Sequence, residues 1–240
     1  MTDYHFPDHV IQAISDWQRG GSPAQKQRRG VALKNACTEL PDKFRRTMLV
    51  CFRQLALSKS AVWQLHDTLC LAETISSWTL ATDVAKAFKG GVPPEGVPGL
   101  ILDIVPPADC VVVNLDALYR DEAFQAACDA ARRRIEGFGN GIAKYGNAQN
   151  EIVLELESVP MSSVYALGGH SGSREEIARL YFGHEPTVEE REEFSRLAKL
   201  SEVQLGPQWI SGTAKDRVLT RTLEAYGILK PYHPSSTSPG

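Results

Sequence analysis

Several absences narrow what this 240-residue chain can be. No stretch approaches the roughly 18 consecutive apolar residues that a membrane span needs, so no membrane partner is expected. The opening MTDYHFPDHV sets acids and histidines ahead of the first apolar residues, unlike a secretory leader, and the expected location is cytoplasmic. There is no Cys-x-x-Cys pair and no His-x-x-Glu-His spacing, so no metal is expected. Five cysteines (Cys37, Cys51, Cys70, Cys110 and Cys128) are odd in number and widely spaced, which fits buried, reduced thiols and not a disulfide frame. No Gly-x-Gly-x-x-Gly follows a strand, so the phosphate-binding fingerprint of a doubly wound dinucleotide fold is missing. A net charge of -3 excludes a polycation and an acidic tail protein alike.

What is present is an ordinary globular balance, 42% hydrophobic and 23% charged, with enough chain for a large core. Charge is spread unevenly. Residues 1–60 carry ten Lys or Arg against five acids, whereas residues 151–210 carry eleven Glu against five basic residues. A basic arm ahead of an acidic segment points to separate tasks or to mutual docking.

Apolar spacing predicts helices at the start, with Val10, Ile11, Ile14 and Trp17 on one stripe and a second helix from Pro23 to about Leu40. The period then shortens. Strands are predicted over Thr47–Ala56, Leu71–Thr79, Leu100–Val105, Val111–Leu115 and Glu151–Glu157, with helices near Thr82–Phe88 and Asp121–Ile135. Gly137–Asn147 reads as a loop. Beyond Pro160 the capping-box pairs Ser173/Glu176 and Thr187/Glu190 predict helices, followed by a last helix over Ala214–Tyr226. The expectation is an α+β fold: a domain over 1–160 with a helical arm (1–46), a helical extension over 161–230 and a disordered tail over 231–240.

Three features bear on chemistry. Arg53 lies inside the apolar run Val50–Leu55, where a guanidinium that cannot shed its charge needs an anion or carboxylate, or an edge facing water. Ser76 and Ser77 end a strand before a helix; Thr79 or Thr82 can cap that helix, which frees Ser76. Gln149-Asn150-Glu151 opens the last predicted strand, and period-two alternation sets Gln149 and Glu151 on one face, with Ile152, Leu154 and Leu156 turned to the core.

In this order the three resemble the R-S-E class of ADP-ribosyltransferases, a group rich in bacterial toxins. Its pattern is an aromatic-Arg strand, a Ser-Thr-Ser-type strand, and a loop ending in Gln/Glu-x-Glu. The matches are Phe52-Arg53, Ser76-Ser77 with Trp78-Thr79, and Gln149-Asn150-Glu151, within Thr47–Ser158. Gln54 and Ser77 stand where the family usually has Gly and Thr, and Arg45 and Arg46 are alternatives to Arg53. The resemblance implies a β-sandwich core flanked by N-terminal helices, and NAD as substrate. Glu151 would stabilise the oxocarbenium formed as the nicotinamide–ribose bond breaks. Arg53 would grip the phosphates, while Ser76 fixes Glu151 and lines the NAD site together with Ser77 and Trp78.

Gln149, with Tyr145 in the preceding loop, would meet the acceptor. An amide hydrogen-bonds another amide or a base edge but is a poor general base. The acceptor is therefore a nucleic-acid base, with RNA favoured slightly by the basic arm and Arg132–Arg134, or a protein Asn, Gln, Cys or Thr side chain. Tyr145 or Trp78 would stack on an unpaired base. Such an enzyme made without a leader would poison its host, which suggests the toxin of a toxin–antitoxin or phage-defence pair, or an effector exported without a leader. The acidic segment would then offer a neutralising protein a docking surface. The alternatives are an NAD glycohydrolase, with water as acceptor, and an inactive binding module.

Overall fold

The computed structural model describes residues 4–57, 68–88, 99–168, 174–200 and 209–229. Helices α1 (Asp8–Gln18) and α2 (Pro23–Ala36) lead into strands β1 (Cys51–Ala56), β2 (Thr68–Cys70) and β3 (Ile75–Thr79). After α3 (Thr82–Ala87) come β4 (Gly99–Ile104), β5 (Val111–Asn114), α4 (Leu115–Tyr119) and α5 (Glu122–Ala131). The short α6 (Ile142–Tyr145) precedes β6 (Glu151–Glu155), β7 (Ser158–Pro160) and β8 (Val164–Gly168). Then follow α7 (Arg174–Phe182), α8 (Val188–Leu200), β9 (Trp209–Ser211) and α9 (Gly212–Leu229). The fold is mixed α+β, the class its changing hydrophobic period predicts.

Two compact units are formed. One comprises Met1–Arg53, Cys70–Ala85 and Asp103–Val159, and the other comprises Gln54–Leu69, Lys86–Leu102 and Pro160–Gly240. In the second unit β8 pairs antiparallel with β4 (Leu100 opposite Leu167) and with β9 (Leu167 opposite Ile210). The region after Pro160 is thus not purely helical. Thr187 and Glu190 form the expected capping box at the start of α8, whereas Ser173 and the tail 231–240 lie outside the described residues.

The first unit carries the candidate site. Its strands lie in the order β5-β6-β3-β1. In β6 and β3 the register sets Glu151 opposite Thr79, Val153 opposite Ser77, and Leu154 opposite Ser76. Glu151, Thr79, Val153 and Ser77 therefore share one face, and Ile152, Trp78, Leu154 and Ser76 share the other.

The face bearing Val153 is covered by helices. Val10, Ile11 and Ile14 of α1, Leu33 of α2, Leu118 of α4 and Phe124 of α5 form one buried core with it. Each fully buried side chain of this size stabilises the fold by about 1.5–3 kcal/mol. α2 begins at a complete capping box, Ser22 with Gln25, and carries Pro23 in its first turn. Its Gly30 packs so closely that a Cβ would lie 3.1 Å from Ile75 and 3.2 Å from the Trp17 ring. Because both faces of β6 are covered, Glu151–Leu154 are all buried. Ile152 and Leu154 do lie on the face away from Glu151, as alternation predicts, but the Glu151 face is buried as well.

Candidate active site

Glu151 begins β6 and is 6% exposed, a costly place for a carboxylate unless donors surround it. Three do. The Trp17 indole N–H donates to Oε1 at 2.9 Å, and the Ser77 hydroxyl donates to the same oxygen at 2.5 Å. The Gln18 amide donates to Oε2 at 3.3 Å. Ser77 itself is exposed, whereas the carboxylate it holds is buried. Trp17 ends the apolar stripe of α1, where the amphipathic period brings its ring inward and its N–H needs an acceptor.

The serine that holds Glu151 is Ser77, not Ser76. Ser76 is 1% exposed on the opposite face, where its hydroxyl accepts from the Trp78 indole at 3.1 Å. Trp78, 2% exposed, is a core residue. Its expected roles beside NAD or against an unpaired base are therefore corrected, as is that of Ser76. The dipeptide alone does not tell which serine shares the Glu151 face; the strand register does.

Arg53 is also placed apart. Phe52 pairs with Thr79, so the next pair sets Arg53 opposite Trp78, by alternation on the face away from Glu151. Its guanidinium is engaged by Glu73 at 2.8 Å, and Glu73 also meets Lys26 at 3.5 Å. Burial lowers the pKa of Arg53, and the charge and hydrogen bond of Glu73 partly restore it. Of the alternatives, Arg45 donates to the Thr38 carbonyl at 2.7 Å and Arg46 pairs with Asp42 at 2.5 Å. The expected cluster of Arg53, Ser76 and Glu151 is not formed.

Gln149 is half-buried in the turn before β6, and its carbonyl accepts from the Thr79 hydroxyl at 2.7 Å. The intervening Asn150 has φ +44°, in the left-handed region that Asn tolerates better than most residues. Period-two alternation therefore does not extend back from Glu151 to Gln149, and the shared face expected for them is not set by the strand. Tyr145, half-buried at the end of α6, has Lys144 Nζ 5.0 Å from its ring centroid.

A further carboxylate organises this turn. Asp116, 7% exposed, accepts from Asn147 at 2.9 Å, from Asn150 at 3.0 Å and from Arg120 at 3.0 Å. Burial alone would raise its pKa, but the bonds from Asn150, Asn147 and Arg120 outweigh burial and hold it below the usual carboxylate value. Sequence reading missed Asp116 and Gln18; neither stands in a motif. The Trp17 stripe was legible, but not its partner 134 residues away.

The cations of the basic arm are largely engaged within the chain: Lys34 with Glu155 at 2.6 Å, Lys43 with Asp121 at 2.7 Å, and Arg19 with Asp16 at 2.9 Å. Arg134 forks onto Asp8 at 2.6 and 2.8 Å. Cys37, Cys51 and Cys128 are buried as expected, and burial pushes each thiol up to about 12. Cys70 is exposed, because β2 alternates outward about the buried Leu69. Among the described residues no three His, Cys, Asp or Glu side chains gather into a cation site, and no helix is long and apolar enough to cross a membrane.

Compared with known protein families, with curated proteins and with solved structures, the chain matches none.

Proposed function

We propose that this protein is an NAD-dependent mono-ADP-ribosyltransferase acting at Glu151. The supporting observation is the meeting of Ser77 and Glu151 from neighbouring strands, with Gln149 two residues before the carboxylate. These supply the serine and Gln-x-Glu parts of the R-S-E pattern, with Ser77 in the role expected of Ser76. Arg53 is given no part at the carboxylate.

In the reaction the bond between ribose C1′ and the nicotinamide nitrogen breaks. Its electron pair passes to the nitrogen and neutralises the pyridinium, and positive charge develops on the sugar. An anionic Glu151 held by fixed donors stabilises that charge without reorganising. The acceptor then adds its own electron pair to C1′ and releases a proton. The side chain of Gln149 would hydrogen-bond the acceptor beside C1′, with Tyr145 as a stacking surface.

The acceptor favoured here is a nucleic-acid base, RNA before DNA. Lys34, Lys43 and Arg46 of the arm sit in solvent-accessible ion pairs worth only about 0–1 kcal/mol each, which phosphates can displace. That same engagement favours a second reading, a protein amide as acceptor, since it leaves less free positive charge for a backbone. Activity of this kind inside the producing cell extends the proposal to a toxin paired with a neutralising protein.

The test is nicotinamide release from NAD by the purified chain, with adenylate-labelled NAD followed into RNA, DNA and protein fractions. Release is expected, with label in RNA, and Glu151→Gln should abolish both. Label in protein alone selects the second reading, and release without label identifies a glycohydrolase. Absence of release from the wild-type chain refutes the enzyme and leaves the binding module. Induced expression should arrest growth for the wild type but not for Glu151→Gln.

A further inference from the structure

Trp17 and Gln18 belong to no part of the pattern that pointed to the site, yet both donate to its carboxylate. We propose that these two α1 side chains are positioning residues that reserve Oε2 of Glu151 for a hydroxyl of the substrate, an inference that rests on the transferase reading above. An ionised carboxylate offers about four lone-pair directions, two on each oxygen. On Oε1 both are taken, by Trp17 and by Ser77. On Oε2 the described residues use one, through the Gln18 amide, whose 3.3 Å bond is the longest of the three. The remaining direction accepts one donor, and a ribose hydroxyl supplies one.

The Gln18 amide is oriented from behind. Its Oε1 accepts from the Tyr119 hydroxyl at 2.6 Å, which turns its NH2 toward Glu151. The Tyr119 oxygen also lies 3.0 Å from the Ile142 carbonyl. Burial raises the Tyr119 phenol well above its usual value, so it remains a protonated donor. The order Tyr119–Gln18–Glu151 thus fixes which end of the amide meets the carboxylate.

Helix α1 is built to hold its two donors still. Val10, Ile11, Ile14 and Ser15 are fully or almost fully buried. Gly141 approaches so closely that a Cβ there would fall 2.3 Å from the Ser15 carbonyl oxygen. The Trp17 ring lies against Gly30 of α2. These contacts make α1 part of the core and not a removable cover.

Trp17→Phe keeps an aromatic ring but removes the indole N–H; Gln18→Met keeps length and removes the donor. Each should lower kcat for nicotinamide release by about tenfold or more, while KM for NAD stays within about twofold. A merely structural role would lower the unfolding temperature and leave kcat unchanged below it, which is the behaviour expected of Gln12→Ala on the same helix. In parallel, the Trp17 indole 1H–15N resonance, assigned by its loss in Trp17→Phe, should move in Glu151→Gln. Wild-type release that is lost in Glu151→Gln but retained with unchanged kcat in Trp17→Phe and Gln18→Met overturns this inference alone. So does an indole resonance that does not move. Absence of release from the wild type overturns the transferase reading and this inference with it.

Discussion

Replacing Ser76 and Ser77 separately by alanine should give opposite phenotypes, although they are neighbours in one strand. In Ser76→Ala the Trp78 indole N–H loses its acceptor at 3.1 Å while the ring stays 2% exposed. Leaving a buried donor unpaired costs about 1–3 kcal/mol. With a urea slope on the order of 2 kcal/mol per molar, the unfolding midpoint should fall by about 0.5–1.5 M. Glu151 keeps its three donors, so nicotinamide release should change by less than about twofold. In Ser77→Ala a hydroxyl is removed from a carboxylate, a charged-group bond worth about 1.5–3 kcal/mol. Loss of that energy from the transition state lowers kcat by about 10- to 150-fold. Ser77 is exposed and water takes its place, so the midpoint should move by less than about 0.3 M. Unfolding is followed by tryptophan fluorescence and circular dichroism, and turnover by released nicotinamide. Silent turnover in Ser76→Ala with an unchanged unfolding curve, together with a fully active Ser77→Ala, would refute the assignment of the two serines to their faces.

Three other outcomes follow from the packing and the charges. Asp116→Ala removes the acceptor of Asn147, Asn150 and Arg120 and should destabilise the first unit by about 2–4 kcal/mol, read from urea curves at neutral pH. Since the folded pKa of Asp116 lies below its ordinary value, its contribution is fully present above that value and fades as pH falls through the folded one; the gap between wild type and Asp116→Ala should therefore shrink in strong acid. Gly141→Ala forces a Cβ against the Ser15 backbone and should cost about 1–3 kcal/mol, seen as a lower Tm, while Gly139→Ala, with open space around it, should not. In native protein at pH 8 a thiol reagent should modify Cys70 within minutes but reach Cys37, Cys51 and Cys128 only after denaturant is added.

Local order was legible and convergence was not. The stripe of Val10, Ile11, Ile14 and Trp17 announced α1, and Ser22-Pro23 its successor, because caps and a 3.6-residue period are properties of neighbouring residues. The run Val111–Val113 similarly announced β5. By contrast β8 and β9 are short, and they exist through pairing with β4 and with each other, which no five-residue window records. The face on which Ser76 or Ser77 falls depends on a register set between strands 74 residues apart. Alternation failed between Gln149 and Glu151 for a local reason, the left-handed Asn150, whose side chain is held by an aspartate 34 residues earlier. Alternation sets Glu151 on the face away from Ile152 and Leu154, but nothing near it in sequence reveals the helix laid over that face.

The span between donor and acceptor also sets a timetable for synthesis. Trp17 and Gln18 emerge from the ribosome more than 130 residues before the carboxylate they grip, and Ser77 more than 70 before it. A nascent polypeptide therefore carries the holders long before the group they hold. A ribosome stalled upstream of β6 releases a fragment that has Trp17, Gln18 and Ser77 but lacks Glu151 altogether.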